Sequence, residues 1–309
     1  MIRIGVGGYP PAYNKTSFRN NRMKIFEWLR SLDLNAFEAE MTYGPRTPIQ
    51  NCQMMRNLSR EFDIKISIHA AYYIVLTSSD KDKVARSIDM LKRTFELADI
   101  MGADVVVLHP GSLYKKTSGE VTEILRSNIS DFFNQIGKTD IGLFLETAGK
   151  KAQFGSVEEI LSIANFIEGV HPCIDFGHVH ARLGGGLRDD EAIDDVFSVL
   201  AENRVFDEGS RIHFHYTPIH YGLRGEIQHR KIDDIYSQPD AITSSDVEQT
   251  GQLYFPRYNR IIENLARLSI PVTMISETHN SQEKGAMAMR EYYKQCLYRS
   301  EIVQKEKAL

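Results

Sequence analysis

Residues 104–109 read DVVVLH, a run of aliphatic residues that ends in a histidine. Residues 141–146 read IGLFLE, which repeats the arrangement with a glutamate at the end. A short apolar run without polar alternation is typical of a strand that is covered on both faces, as strands are in parallel α/β sheets. The two segments therefore favour a parallel sheet whose strands end in ionisable side chains.

Eight strand candidates occur along the chain, and amphipathic stretches separate most of them. This alternation predicts a single (β/α)8 TIM barrel with right-handed crossovers, and we expect one domain over residues 1–309. The candidate strands are 2–7, 36–40, 65–69, 104–109, 141–146, 172–175, 211–216 and 272–277. The candidate helices are 22–32 with Asn21 as N-cap, 83–100, 123–136, 157–167, 190–200, 257–268 and 283–298.

A long connection, 217–255, follows the seventh strand candidate and interrupts this rhythm. It carries Gly222, Gly225 and a polar run over 237–251. Connections of this length are usually functional or mobile, so the segment is a candidate part of the functional site.

The composition bounds the class of protein. Hydrophobic residues make up 42% and charged residues 25% of the 309 residues, which is ordinary for a globular protein. No apolar run approaches the length of a membrane span, and three cysteines without metal-type spacing favour a reducing, cytoplasmic compartment. The net charge of −4 argues against a strongly basic nucleic-acid clamp. Three bound divalent cations would bring the charge to +2, so the net charge does not exclude a phosphodiester substrate.

Six of the candidate strands reach a residue that can bind a metal ion. Because the C-terminal ends of parallel barrel strands meet at one mouth, we expect these side chains to converge there. Two glutamates, an aspartate and a histidine suit one divalent ion such as Mn²⁺, Mg²⁺, Co²⁺ or Zn²⁺. His215 lies on the same strand face as His213, so the two compete for the histidine position. The six residues are His69, His109, Glu146, Asp175, His213 and Glu277.

Further ligands would extend this set to more than one ion. His69 and His109 lie on the strands before Glu146 and could share that glutamate with a second ion. In the cluster DFGH at 175–178, we expect Gly177 to bend the chain and direct His178 toward another ion. Glu226 and His229 in the long connection could complete a third site, with an ordinary charged loop as the alternative.

The motifs around these residues resemble endonuclease IV, the zinc-dependent apurinic/apyrimidinic DNA endonuclease, over about residues 66–278. They are HAAY at 69–72, LHPGS at 108–112, LETAGK at 145–150, CIDFGH at 173–178 and SET at 276–278. In place of the family's asparagine-aspartate-serine-lysine run after the strand-seven histidine, this chain has HFHYTPIHYG at 213–222. The Glu-x-x-His spacing of Glu226 and His229 resembles archaeal relatives.

The resemblance implies a TIM barrel with three zinc ions at its mouth. The first ion would take His69 and His109, with Glu146 bridging to the second. The third would take His178 with residues of the long connection. Tyr72 and Arg46 would contact the substrate DNA. The second ion would add Asp175, His213 and Glu277.

The implied activity is hydrolysis of the phosphodiester 5′ to abasic sites in double-stranded DNA, as in base excision repair. Two or three Zn²⁺ ions, with Mn²⁺ as the alternative metal, would assist the reaction. Glu146 and Glu277 would be the catalytic residues, with Glu277 orienting or deprotonating the nucleophile. We infer neither an obligate protein partner nor a membrane from the sequence.

A sugar isomerase or epimerase of the xylose-isomerase-like superfamily is the alternative, because such enzymes share the barrel and a Glu-Asp-His-Glu set around one ion. Their two glutamates move protons next to a carbonyl. Glu38 or Glu40 would then supply a further acid on the substrate side, whereas His69, His109 and His178 would be superfluous. Fold alone does not choose between the two activities.

Overall fold

Eight parallel strands form a closed barrel in the computed structural model, which describes residues 2–236 and 254–307. Each strand pairs with its neighbour in the chain, and the eighth closes on the first through pairs such as Ile4 with Met274. The fold prediction is therefore confirmed. The strands are β1 Ile2–Gly7, β2 Ala36–Glu40, β3 Lys65–His69, β4 Val105–Leu108, β5 Gly142–Glu146, β6 Val170–Asp175, β7 His213–Tyr216 and β8 Val272–Ser276.

Burial on both faces explains the apolar strand sequences. Every residue of β4 and of β5 is buried, including Glu146 at the end of β5. Asp104 lies just before β4 and forms ion pairs with Lys65 and Arg211 at the N-terminal end of the barrel. His109 and Glu277 each follow their strand directly, so both belong to the opposite, C-terminal mouth.

Nine α-helices surround the barrel within the described residues, and the sequence pattern did not predict two of them. The helix Ile49–Phe62 buries Cys52 and Met55 fully and packs the partly buried Leu58 and Phe62 against the core, so its helical period lies among mostly polar residues. The helix Phe176–Arg182 is too short to show a helical period. They are α1 Ile25–Ser31, α2 Ile49–Phe62, α3 Lys81–Met101, α4 Ser118–Ile136, α5 Val157–Ala164, α6 Phe176–Arg182, α7 Asp190–Glu202, α8 Tyr258–Ala266 and α9 Gln282–Lys307.

Capping side chains set where several helices begin. The Asn21 side chain accepts a hydrogen bond from the Met23 N–H, but it caps a short 3₁₀ helix, Arg22–Lys24, that precedes α1. Thr117 and Glu120 form a capping box at α4, which starts this helix five residues before the predicted Glu123. The first turn of a helix is therefore decided by polar residues that carry no apolar period.

The connection after β7 begins as a two-stranded antiparallel ribbon, Ile219–Gly222 with Gly225–His229, followed by the 3₁₀ helix Ile232–Ile235. The polar run predicted over 237–251 lies outside the described residues. A second ribbon pairs Gly111–Ser112 with Gln153–Phe154 beside the mouth. Among the helices of the described residues, none combines the length and apolarity that crossing a membrane requires.

Candidate metal centre

Glu146 lies at the centre of the barrel mouth and is fully buried. Its Oε2 is 3.0 Å from His69 Nε2 and 3.2 Å from His109 Nε2. Its Oε1 is 3.2 Å from Nδ1 of His178 and 3.2 Å from Nδ1 of His215. Four imidazole rings thus surround one carboxylate, and no single carboxylate can satisfy all of them as charged partners.

Three of the histidines hold their rings in the same way. Backbone carbonyl oxygens only accept hydrogen bonds, so the ring nitrogen that faces one must carry the proton. This leaves the opposite nitrogen, Nε2, with its lone pair directed into the cluster, as in histidines that bind metals. The Nδ1–carbonyl pairs are His69 with Ala70 at 3.0 Å, His178 with Thr147 at 2.9 Å and His229 with Glu277 at 3.2 Å.

A four-residue group with ligand atoms within 4.8 Å of one another suits a single ion. Its carboxylates are hard oxygen ligands, and its histidine broadens the choice to Zn²⁺ or Mn²⁺. His69 and His109 both contact Glu146 Oε2, but the groups with ligand atoms within 4.8 Å place His69 with His215 and His109 with His178. The four residues of the group are Glu146, Asp175, His215 and Glu277.

The histidine of this group is His215, whereas the sequence listed His213 and left the choice between the two open. Strand pairing explains the difference, because His215 is in register with Asp175 whereas His213 is in register with Cys173. His213 therefore lies one layer deeper in the barrel, where its Nε2 is 3.0 Å from Glu38 Oε2. Both rings point inward, as the two-residue period of a strand requires.

Asp175 provides a direct test of whether an ion fits. Its Oδ1 accepts a hydrogen bond of 2.7 Å from the His178 N–H and so caps α6. Its Oδ2 is buried and finds no hydrogen-bond partner among the described residues. An orphaned carboxylate oxygen is costly unless a cation satisfies it, so the residues present fit a divalent ion. Gly177 does not bend the chain as predicted, because it lies within the first turn of α6.

The ribbon after β7 brings Glu226 and His229 to His178. His178 Nε2 lies 3.3 Å from His229 Nε2 and 3.8 Å from Glu226 Oε2. Gly225 makes this docking possible, since it has a φ of +95° and a Cβ there would lie 2.1 Å from the Gly149 carbonyl oxygen. The three predicted residues of the third site are therefore close enough to bind one ion.

Electrostatics within the cluster is unbalanced without a cation. Burial disfavours the charged form of His69, but its contact with Glu146 outweighs burial and raises the His69 pKa to about 10. Burial lowers the pKa of His109 to about 4, and the neighbouring histidines act in the same direction. Burial, together with the like charge of Glu146, raises the pKa of Glu277 to about 8. A divalent ion would relieve this repulsion among the carboxylates.

Glu38 on β2 is the functional candidate that sequence reasoning placed wrongly. It is fully buried and accepts a hydrogen bond of 2.8 Å from Ser67 Oγ, so it is not an acid on the substrate side. Glu40, two residues on, is exposed and is the only one of the pair that could serve as one. A glutamate at an inward position of an otherwise apolar strand is the signal that could have identified Glu38.

Tyr72 and Arg46 lie on the loops after β3 and β2, on the face of the barrel that carries the cluster. Tyr72 is 68% exposed, and its ring packs edge-on against Tyr73 with the centroids 5.4 Å apart. Arg46 is exposed as well. Both side chains are therefore available to a ligand at the mouth.

Comparison with known proteins identifies a family and several relatives, two of which are described below. A family model described as a xylose isomerase-like TIM barrel matches residues 26–296. An uncharacterised protein of Methanocaldococcus jannaschii is 30% identical over 241 residues, which cover 76% of this chain and 83% of that protein. A probable endonuclease 4 of Nitratidesulfovibrio vulgaris is 32% identical over 130 residues, 40% of this chain and 45% of that protein. The match to this endonuclease spans less than half of its length.

Solved structures resemble the chain in fold. Endonuclease IV from Thermus thermophilus superimposes with a TM-score of 0.66 at 17% identity and covers 95% of this chain and 99% of that one. A D-tagatose 3-epimerase-like protein gives a TM-score of 0.63 at 17% identity and covers 98% and 99%. The two likenesses are nearly equal, so the backbone alone does not distinguish the activities.

Proposed function

The chain belongs to the family of xylose isomerase-like TIM barrels, and we propose that it is a metal-dependent phosphodiesterase that cuts double-stranded DNA 5′ to abasic sites. The observation that carries the proposal is the number of histidines around Glu146. His69, His109 and His178 all contact this carboxylate, in addition to the His215 that a one-ion site would use. A multinuclear centre gives these three histidines a role, and phosphoryl transfer is the chemistry that such centres assist.

We assign the candidate ligands to three groups. His69 and His109 would hold one ion with Glu146, and His178 would hold another with Glu226 and His229. Zn²⁺ suits this histidine-rich set best, with Mn²⁺ as the alternative. When bound, the ions supply Lewis-acid stabilisation of the phosphoryl oxygens and a nucleophile that ionises near neutral pH. The remaining group is Glu146, Asp175, His215 and Glu277.

Protein side chains would do the remaining work. The Glu277 side chain is 16% exposed, whereas the Glu146 side chain has no exposed surface. Glu277 is therefore the carboxylate that can orient or deprotonate the nucleophile. Arg46 would pair with a backbone phosphate, and the exposed ring of Tyr72 would fill the gap left by the missing base. Extruding the nucleotide costs about a few kcal/mol, and least where no base is paired.

A one-ion sugar epimerase is the second candidate, and a specific observation favours it. Glu146, Asp175, His215 and Glu277 already form a complete set of ligands for a single ion. Against it, the Nε2 lone pairs of His69 and His178 are directed into the cluster by their carbonyl hydrogen bonds, and an epimerase gives them no metal to bind.

The test is incubation of zinc-loaded protein with a duplex that carries one synthetic abasic site. We expect a single cut immediately 5′ to the lesion, no cut in the intact duplex, loss of activity with a chelator and recovery when Zn²⁺ or Mn²⁺ is restored. The proposal fails if folded, metal-loaded protein leaves the abasic duplex intact. Conversion of a ketose to its epimer by the same preparation would then establish the second candidate.

A further inference from the structure

His215 differs from the other histidines of the cluster in the direction of its ring. Its Nδ1 faces the ligand group, 3.2 Å from Glu146 Oε1 and 3.1 Å from Glu277 Oε1. Its Nε2 points back into the barrel and lies 3.0 Å from Glu38 Oε1. The ring nitrogen that faces away from the ligand group therefore has a buried carboxylate as its neighbour in His215. In His69, His178 and His229 the corresponding neighbour is a backbone carbonyl.

The carboxylate of Glu38 is itself fixed. Ser67 Oγ donates to its Oε2 at 2.8 Å, and His213 Nε2 lies 3.0 Å from the same oxygen. Both partners are buried, and Glu38 and His215 have no exposed surface. With Oε2 occupied by two donors, Oε1 is the oxygen left for His215. Oε1 and His215 Nε2 lie 3.0 Å apart without hydrogen-bond geometry, and within the described residues both atoms are buried and have no other hydrogen-bond partner.

We propose that Glu38 is a positioning residue for the metal centre: it accepts the Nε2–H of His215, fixes that tautomer and directs the Nδ1 lone pair at the ion. His213 and Ser67 hold Glu38 in place for this task. A carboxylate behind a metal-binding imidazole orients the ring and raises its basicity, which strengthens the metal bond. The inference rests on the metal centre of the proposed function but not on its DNA substrate.

Glu38, His213 and His215 could instead bind a separate ion, because their ligand atoms also lie within 4.8 Å of one another. That ion would require His215 to bind metals through both ring nitrogens. The positioning role does not need this, and the two assignments predict different metal contents.

The experiment is a competition titration of Zn²⁺ into metal-free Glu38→Gln protein. We expect the affinity of the site that His215 completes to fall roughly 10- to 100-fold, with the same number of ions bound at saturation. Nitrogen-15 NMR of the histidine side chains should show the His215 Nε2–H signal of the zinc-loaded wild type shifted or lost in the variant. Ser67→Ala, which removes one donor to Glu38, should weaken binding less and serves if Glu38→Gln does not fold.

Glu283→Gln is the matched control, because Glu283 is also a buried glutamate but belongs to none of the ligand groups of the described residues. Its zinc affinity should equal that of the wild type. The proposal would be overturned if folded Glu38→Gln protein bound zinc as tightly as the wild type. If only Ser67→Ala folds, unchanged zinc affinity in that variant would overturn it. So would loss of one whole equivalent of zinc in His213→Ala, which would make Glu38 a ligand. Because binding is measured, failure of DNA cleavage would leave this result intact.

Discussion

Replacing Glu146 by glutamine is expected to lower the cleavage of abasic DNA by at least about a thousandfold, a loss of about 4 kcal/mol of transition-state stabilisation. Glu146 is the residue that links the ligand groups, since its two oxygens contact the rings of four histidines. A glutamine of the same shape replaces one ligand oxygen by an amide NH₂, which cannot bind a cation. Several kcal/mol of Lewis-acid assistance would be lost with the ions.

Initial cleavage rates and metal content per chain, measured on the same preparation, test this expectation. Glu168→Gln serves as the matched control, because Glu168 is an exposed glutamate at the opposite end of the barrel and should retain both rate and metal. Metal-free Glu146→Gln protein should be less stable than the metal-free wild type, because the neighbouring histidines hold the Glu146 pKa well below its usual range and the variant leaves them without that charge. A variant that kept its metal and cleaved at the normal rate would show that Glu146 is not the bridging ligand.

His109→Ala is expected to remove about one ion per chain and to lower cleavage by a hundredfold or more, about 3 kcal/mol. His109 contacts Glu146 Oε2 but, in the part of the chain that the structure describes, it belongs to no ligand group with Asp175 or Glu277. The four-residue group should therefore keep its ion. Metal analysis and thermal unfolding, taken together, separate loss of one ion from loss of the fold.

His279→Ala is the control for this experiment, because His279 is an exposed histidine near the same mouth and belongs to no ligand group among the described residues. It should cleave and bind metal like the wild type. Near-normal cleavage by His109→Ala would contradict a centre in which two ions share Glu146. It would favour the one-ion epimerase instead.

The sequence predicts most of the barrel because continuous apolar runs identify strands buried on both faces. The first three strands match the predicted bounds, and the others differ by no more than two residues at either end. The helices α2 and α6 were missed for separate reasons: α2 buries few residues completely, and α6 has seven residues. Helices that are this short or this polar take most of their stability from packing against the barrel.

The position of the site is predictable from the ionisable residues at the strand ends, but its depth is not. His213 and His215 share one face of β7, and only the register with β6 places His215 level with Asp175. Register follows from how the barrel closes, so a single strand sequence cannot specify it. The role of Glu38 depends in the same way on side chains from β3 and β7 that are far away in the sequence.

Anomalous X-ray diffraction at the zinc edge, from crystals grown with Zn²⁺, tests the multinuclear centre most directly. We predict one peak between His69, His109 and Glu146, and a second among Glu146, Asp175, His215 and Glu277. A third peak beside His178 would mark the ribbon site. A single peak in the four-residue group, with His69 and His109 free of metal, would contradict the account.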